Sequence, residues 1–159
     1  MVKIPEKIGR AHIRTSYKKG DVFLWEQFPG KEKTKDAHFV FLTDCCEDDS
    51  FLSVRATKRV ELYNGPMAKR FANETVLIKA GETKIFRLDT ILDLTWRRRF
   101  AVNDLAKILG AGFKKEGNLS SEIIGRIDES VRKSRTLTMR EINLILYGKS
   151  MPPPPTPVA

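Results

Sequence analysis

Three short apolar runs set the rhythm of the front half of the chain: residues 22–28 (VFLWEQF), 38–43 (HFVFLT) and 51–57 (FLSVRAT). Each is rich in β-branched and aromatic side chains and is bounded by Gly20-Asp21, by the charged loop 29–36 or by the acidic turn 44–50. Runs of that length and make-up predict strands of an antiparallel meander. The connections are too short for crossover helices, so the pattern points to a small curved sheet or barrel. In the first run Val22, Leu24 and Phe28 alternate with Phe23, Trp25 and Gln27. Both sides of that strand are apolar at the start, so both need cover: a barrel interior on one side, a helix or a second subunit on the other. In the third run Ser53, Arg55 and Thr57 share a face opposite Leu52, Val54 and Ala56.

Further along, residues 60–63 lead into the breaker Asn64-Gly65-Pro66, and 67–71 read as a short helical turn. Strands are predicted over 74–78 and 90–96, with a turn at 79–82 and an edge element at Ile85-Phe86. From Phe100 the period changes to a helical one. Val102, Leu105, Ile108 and Leu109 mark a first helix closed by Gly110. Ser120 opens a second with Ile123, Ile124, Ile127 and Val131 on its stripe, and Thr138 with Glu141 forms a capping box for a third. Residues 1–19 show no sustained period and read as a basic arm, mobile or laid over the sheet; 150–159, with four consecutive prolines, read as a disordered tail. The expected architecture is α+β, mainly β: a sheet or barrel domain over 20–100 with a helical extension over 101–149 packed upon it.

Charge sharpens this picture. Lys and Arg number 29 against 20 Asp and Glu, a formal net charge of +9, which favours a polyanionic partner, nucleic acid ahead of an anionic membrane. The adjacent Cys45 and Cys46 have no second pair to complete a metal site, and neighbours close a very tight ring if bridged, so two reduced thiols are expected. No apolar run approaches the ~18 residues of a membrane span, and the N-terminus is charged, so a soluble cytoplasmic protein without cofactor is expected. Lys31, Lys33 and Lys35 lie in the charged loop as a candidate flap over a groove. Arg97, Arg98 and Arg99 form the densest cationic run, suited to phosphate contact, and His38 begins the second strand, within reach of Arg55 and Thr57 if strands two and three pair.

Gly20-Asp21-Val22, Phe39-Val40-Phe41-Leu42-Thr43, Val54-Arg55-Ala56-Thr57-Lys58, and Thr90-Ile91-Leu92-Asp93-Leu94 with the three arginines resemble successive strand motifs of the PemK/MazF family of toxin endoribonucleases, over about residues 18–100. The resemblance implies an SH3-like barrel and metal-independent cleavage of single-stranded RNA, in which a 2′-hydroxyl attacks its own phosphate. Thr57 matches the family's catalytic threonine. The family's Arg-Pro pair before the second strand is Ala37-His38 in this chain, and Arg55 stands where the family has a proline. The roles expected are His38 as general base or acid, Arg55 as phosphate stabiliser, Thr57 as hydrogen-bond donor, and Lys31, Lys33, Lys35, Arg97, Arg98 and Arg99 as RNA clamps. The expected partners are RNA, an acidic antitoxin-like protein and a second copy of the chain. The alternative reading is an SH3-like module that holds nucleic acid or an acidic protein on the same face without cutting; a third makes the helical tail the working part.

Overall fold

The computed structural model describes residues 6–28, 35–63, 65, 68–69 and 72–149. Six antiparallel strands form one sheet: β1 (Asp21–Phe28), β2 (Lys35–Phe41), β3 (Ser50–Thr57), β4 (Thr75–Ile78), β5 (Thr90–Ala101) and β6 (Phe113–Asn118), in the order β4-β5-β3-β2-β1-β6. Four α-helices accompany it: α1 (Glu6–Ser16), α2 (Val102–Ile108), α3 (Ser121–Lys133) and α4 (Met139–Tyr147). The fold is therefore α+β and mainly β. The barrel expectation needs correction, because β4 and β6 are the two edges and no ladder among the described residues joins them.

Alternation along the strands sorts the core into two layers. Val22, Val40, Leu52, Val54 and Leu92 face α3 and α4, meeting Ile123, Ile127, Val131 and Ile145. Phe23, Phe39, Phe41, Phe51, Phe100 and Phe113 face the other way, against Ile13 of α1 and Val102 and Leu105 of α2. The two-sided apolar β1 is thus covered by helices on both faces. The aromatic layer is dense, with Phe23 stacked on Phe113 at 4.9 Å and lying 4.4 Å from Phe41 between ring centroids.

Local chemistry explains where the helices begin. Ser120 accepts a hydrogen bond from the Ile123 amide at the start of α3, and Thr138 and Glu141 form the reciprocal capping box of α4. Gly20, at φ 92°, turns the chain into β1, where a Cβ would stand 2.6 Å from Cδ1 of Ile124; only glycine meets both demands.

The N-terminal arm lies over the sheet, one of the two forms expected for it, and contains α1, whose Ile13 is buried while Tyr17, just beyond the helix, stands edge-on to Phe23 at 5.0 Å. Three expectations are corrected. The stretch 101–149 is not helical throughout, since β6 pairs with the outer side of β1. β6 (FKKEGN) has one large apolar residue, as an edge strand with a solvated side can. Ile85-Phe86 is irregular rather than a strand, with Phe86 buried and Ile85 against Gly117. The last strand does not stop before the arginines but runs through them to Ala101. The helical turn expected at 67–71 and the tail at 150–159 lie mostly or wholly outside the described residues. No helix among the described residues is long and apolar enough to cross a membrane.

Candidate nucleic-acid interface

Two bulges shape one end of the sheet. In β1 the pairing with β2 shifts between Trp25 and Phe28, with Gln27 at φ 55° and its amide donating to Asp36 Oδ1 at 3.1 Å. The extra residue reverses the alternation, so Phe28 joins Trp25 on the aromatic face instead of siding with Val22 as strict alternation predicts. In β5 the partner of Val54 is Arg97 and that of Arg55 is Asp93, so residues 94–96 bulge out of the ladder.

Asp93 holds that second bulge. Its Oδ1 accepts from the Thr95 amide at 2.9 Å and from Thr95 Oγ1 at 2.5 Å, while Oδ2 accepts from the Tyr63 hydroxyl at 2.7 Å. Burial first, and then the neighbouring Asp93 carboxylate, push the Tyr63 phenol well above its usual range, so it remains a donor at any physiological pH. The bulge presents Trp96 at the surface, 38% exposed.

Beyond the cover of α1 and α2, the aromatic layer reaches solvent as a ring of side chains interleaved with arginines. Trp25 and Phe28 meet at 5.0 Å, and Trp96 lies 6.0 Å from Phe39 and 6.4 Å from Phe28. The Arg55 guanidinium stands 5.1 Å from the Trp96 ring centre and 5.5 Å from that of Phe28. Arg98 stands 5.1 Å from Trp25, 5.3 Å from Phe100 and 5.6 Å from Phe28. Contacts of this kind contribute roughly 0.5–2 kcal/mol each and hold the planar cations flat and pre-oriented.

The expected site residues divide between the two sides of the sheet. Phe39 pairs with Arg55 and His38 with Ala56, and directly paired residues share a face. Arg55 and Thr57 therefore lie together on the aromatic side, whereas His38 points to the other, edge-on to Phe86 at 5.4 Å. Burial lowers the His38 pKa against an opposing pull from Glu116, leaving the imidazole neutral at pH 7. The arginine run is split in the same way. Arg97 Nε donates to Glu141 Oε2 at 2.6 Å and its other nitrogens to the carbonyls of Leu94 and Thr136, which fastens α4 to the sheet. Arg99 pairs with Asp48. Only Arg98 of the three stands in the aromatic patch. Lys35 lines the clefts described next; Lys31 and Lys33 lie outside the described residues.

Two clefts meet where the β2–β3 ladder ends. One, of about 170 Å³, is bounded by Tyr63, Asp93 and Trp96 on the aromatic side; the other, of about 400 Å³, runs toward His38, Phe86 and Glu116. Lys35, Arg55, Thr57 and Arg59 line both and form the saddle between them. No carboxylate of the described residues forms an ion pair with Lys35, Arg55, Lys58, Arg59 or Arg98, in contrast to Arg97 and Arg99. Thr57 Oγ1 accepts the Arg59 amide at 3.2 Å, which leaves its own hydroxyl proton for a ligand.

Sequence reasoning missed Trp25, Phe28, Trp96, Lys58, Arg59, Tyr63 and Asp93 as parts of this region. The available signal was a tryptophan within each of two strands, Trp25 in β1 and Trp96 in β5; the bulges that bring them together leave no pattern of their own. Among the described residues no group of His, Cys, Asp and Glu side chains is placed to hold a metal ion, and both cysteines are free thiols whose pKa values burial raises. Compared with known proteins, the chain matches no protein-family model and no curated protein.

Proposed function

We propose that the protein binds single-stranded RNA across the arginine–aromatic end of its sheet. The observation that carries this reading is the joint placement of Arg55 and Arg98 on Trp25, Phe28 and Trp96 with Lys35, Lys58 and Arg59 alongside, none engaged by a carboxylate of the described residues. Stacked aromatic and guanidinium planes suit unpaired bases, and the surrounding cations suit the phosphate chain. A duplex hides its base faces and is a poorer ligand for such a surface. The test is fluorescence anisotropy with a labelled RNA strand, alone and annealed to its complement, at one fixed salt concentration. Preference for the single strand, lost in Trp96→Ala, supports the reading; equal binding of strand and duplex refutes it.

The fold reading that accompanies this is an SH3-like barrel left open along one seam, in a relative of the PemK/MazF toxins acting in the cytoplasm. The β1–β2–β3 meander, the bend of β5 at residues 94–96 and the approach of Ile85 to Gly117 of the edge strand β6 support it. Cleavage of the bound strand is the second reading, favoured by Arg55, Thr57 and Lys35 sharing one cleft, where they suit the charge that builds on a phosphate under 2′-hydroxyl attack. His38 reaches the 400 Å³ cleft from the opposite side of the sheet. An acidic antitoxin-like protein would compete for the same cations. Incubation of a mixed-sequence RNA with excess chelator separates cutting from binding.

A further inference from the structure

Resting on the RNA-binding reading, we infer that the saddle formed by Lys35, Arg55, Thr57 and Arg59 receives the phosphorylated end of a strand rather than a phosphate in its interior. The charge at the saddle is the first reason. Three cations and a hydroxyl converge there, and the only carboxylate that the described residues bring to the smaller cleft, Asp93, is occupied by Tyr63 and Thr95. A phosphodiester carries one negative charge, whereas a terminal phosphate monoester carries about 1.5 to 2 at neutral pH and offers three acceptor oxygens.

What lies past the saddle is the second reason. Beyond the saddle the 400 Å³ cleft becomes acidic and apolar on balance: Asp36 and Glu116 stand on its walls against one further cation of the described residues, Lys58, beside Leu24, His38 and Phe86. Asp36 accepts the Gln27 amide through Oδ1 alone, at 3.1 Å. A strand crossing the saddle would bring its next phosphate against these carboxylates, and like charges at short range disfavour the path. On the near side the approach is lined by Trp96, Phe28 and Trp25, where the adjoining bases stack. Attraction up to the saddle and repulsion beyond it describe the stopping point of a chain.

Three RNAs of one sequence test this: hydroxyl at both ends, phosphate at the 5′ end only, and phosphate at the 3′ end only, each titrated against wild type and Glu116→Lys by competition anisotropy. Wild type is expected to bind one of the phosphorylated strands about tenfold more tightly than the hydroxyl-ended one, the scale of one charge-assisted contact. In Glu116→Lys the gap narrows, because the far wall then accepts a second phosphate. Wild-type affinities within twofold of one another for all three strands overturn the inference while leaving RNA binding intact. Failure of all three strands to bind overturns the RNA-binding reading, and this inference with it.

Discussion

The guanidinium of Arg55 and the indole of Trp96 lie 5.1 Å apart across a break in the β3–β5 ladder, although they stand 41 positions apart in the chain. Regular pairing would carry Trp96 along the ladder; the bulge at 94–96 lifts it out, and Arg55 covers its ring. The Trp96 platform of the proposed interface depends on this local departure from a regular strand.

Trp96→Ala is expected to weaken single-stranded RNA binding by about 1–3 kcal/mol, the range for loss of one stacking platform. Because the indole also packs on Phe28 and Phe39, a moderate fall in melting temperature should accompany the loss of binding. Anisotropy together with a thermal melt distinguishes the two effects, and a large loss of stability with unchanged affinity would contradict the assignment.

Arg55→Lys keeps the charge but removes the planar cation held over Phe28 and Trp96. Binding should fall several-fold while the dependence of affinity on salt stays close to wild type. Arg98→Ala, in contrast, removes a charge and should lower the slope of log affinity against log salt by roughly 0.7 for a single strand. A salt titration of both variants reads the difference.

Asp93→Ala leaves the Tyr63 hydroxyl and both Thr95 donors without their acceptor. A stability loss of about 1–3 kcal/mol is expected from the unsatisfied groups, together with RNA binding as weak as in Trp96→Ala. Denaturant titration and tryptophan fluorescence follow the two consequences; an unaltered fluorescence spectrum would show that the carboxylate does not hold the bulge.

His38 makes stability depend on pH below neutrality. Its folded pKa is depressed below the ordinary 6.5, chiefly by burial, so the unfolded chain binds the proton more readily. Stability is at its full value above about 6.5, declines as pH falls from there through the folded pKa, and levels off below it. His38→Gln should abolish that decline, as measured by melting temperature from pH 7.5 to 5.

Glu74 produces a second decline at lower pH. Desolvation would raise its pKa, but hydrogen bonds from Ser134 Oγ at 2.6 Å, the Arg135 amide at 2.6 Å and Thr136 Oγ1 at 2.7 Å outweigh it and hold the carboxylate below the usual 4.5. The stabilisation is complete above that value and disappears as pH falls through the depressed folded pKa. Glu74→Gln should flatten the acid limb of the stability curve and loosen the α3–α4 turn, visible as faster amide exchange at Arg135.

Side-chain pattern in the sequence determined the elements with repeated burial: the apolar runs of β1, β2, β3 and β5, the stripes of α3 and α4, and the capping residues Ser120 and Thr138. It also placed Arg55 and Thr57 on one face, because strand alternation is a local geometric rule. Tertiary structure alone decided what those rules do not encode. β6 exists because β1 offers it an edge, α1 because Ile13 and Tyr17 find an aromatic layer, and His38 is parted from Arg55 by a one-residue difference in pairing register. The fate of the three arginines was settled in the same way, since Glu141 and Asp48, which claim Arg97 and Arg99, come from other parts of the chain. Bulges and long-range ion pairs depend on which neighbours the folded chain supplies, and alternation along one strand carries no record of them.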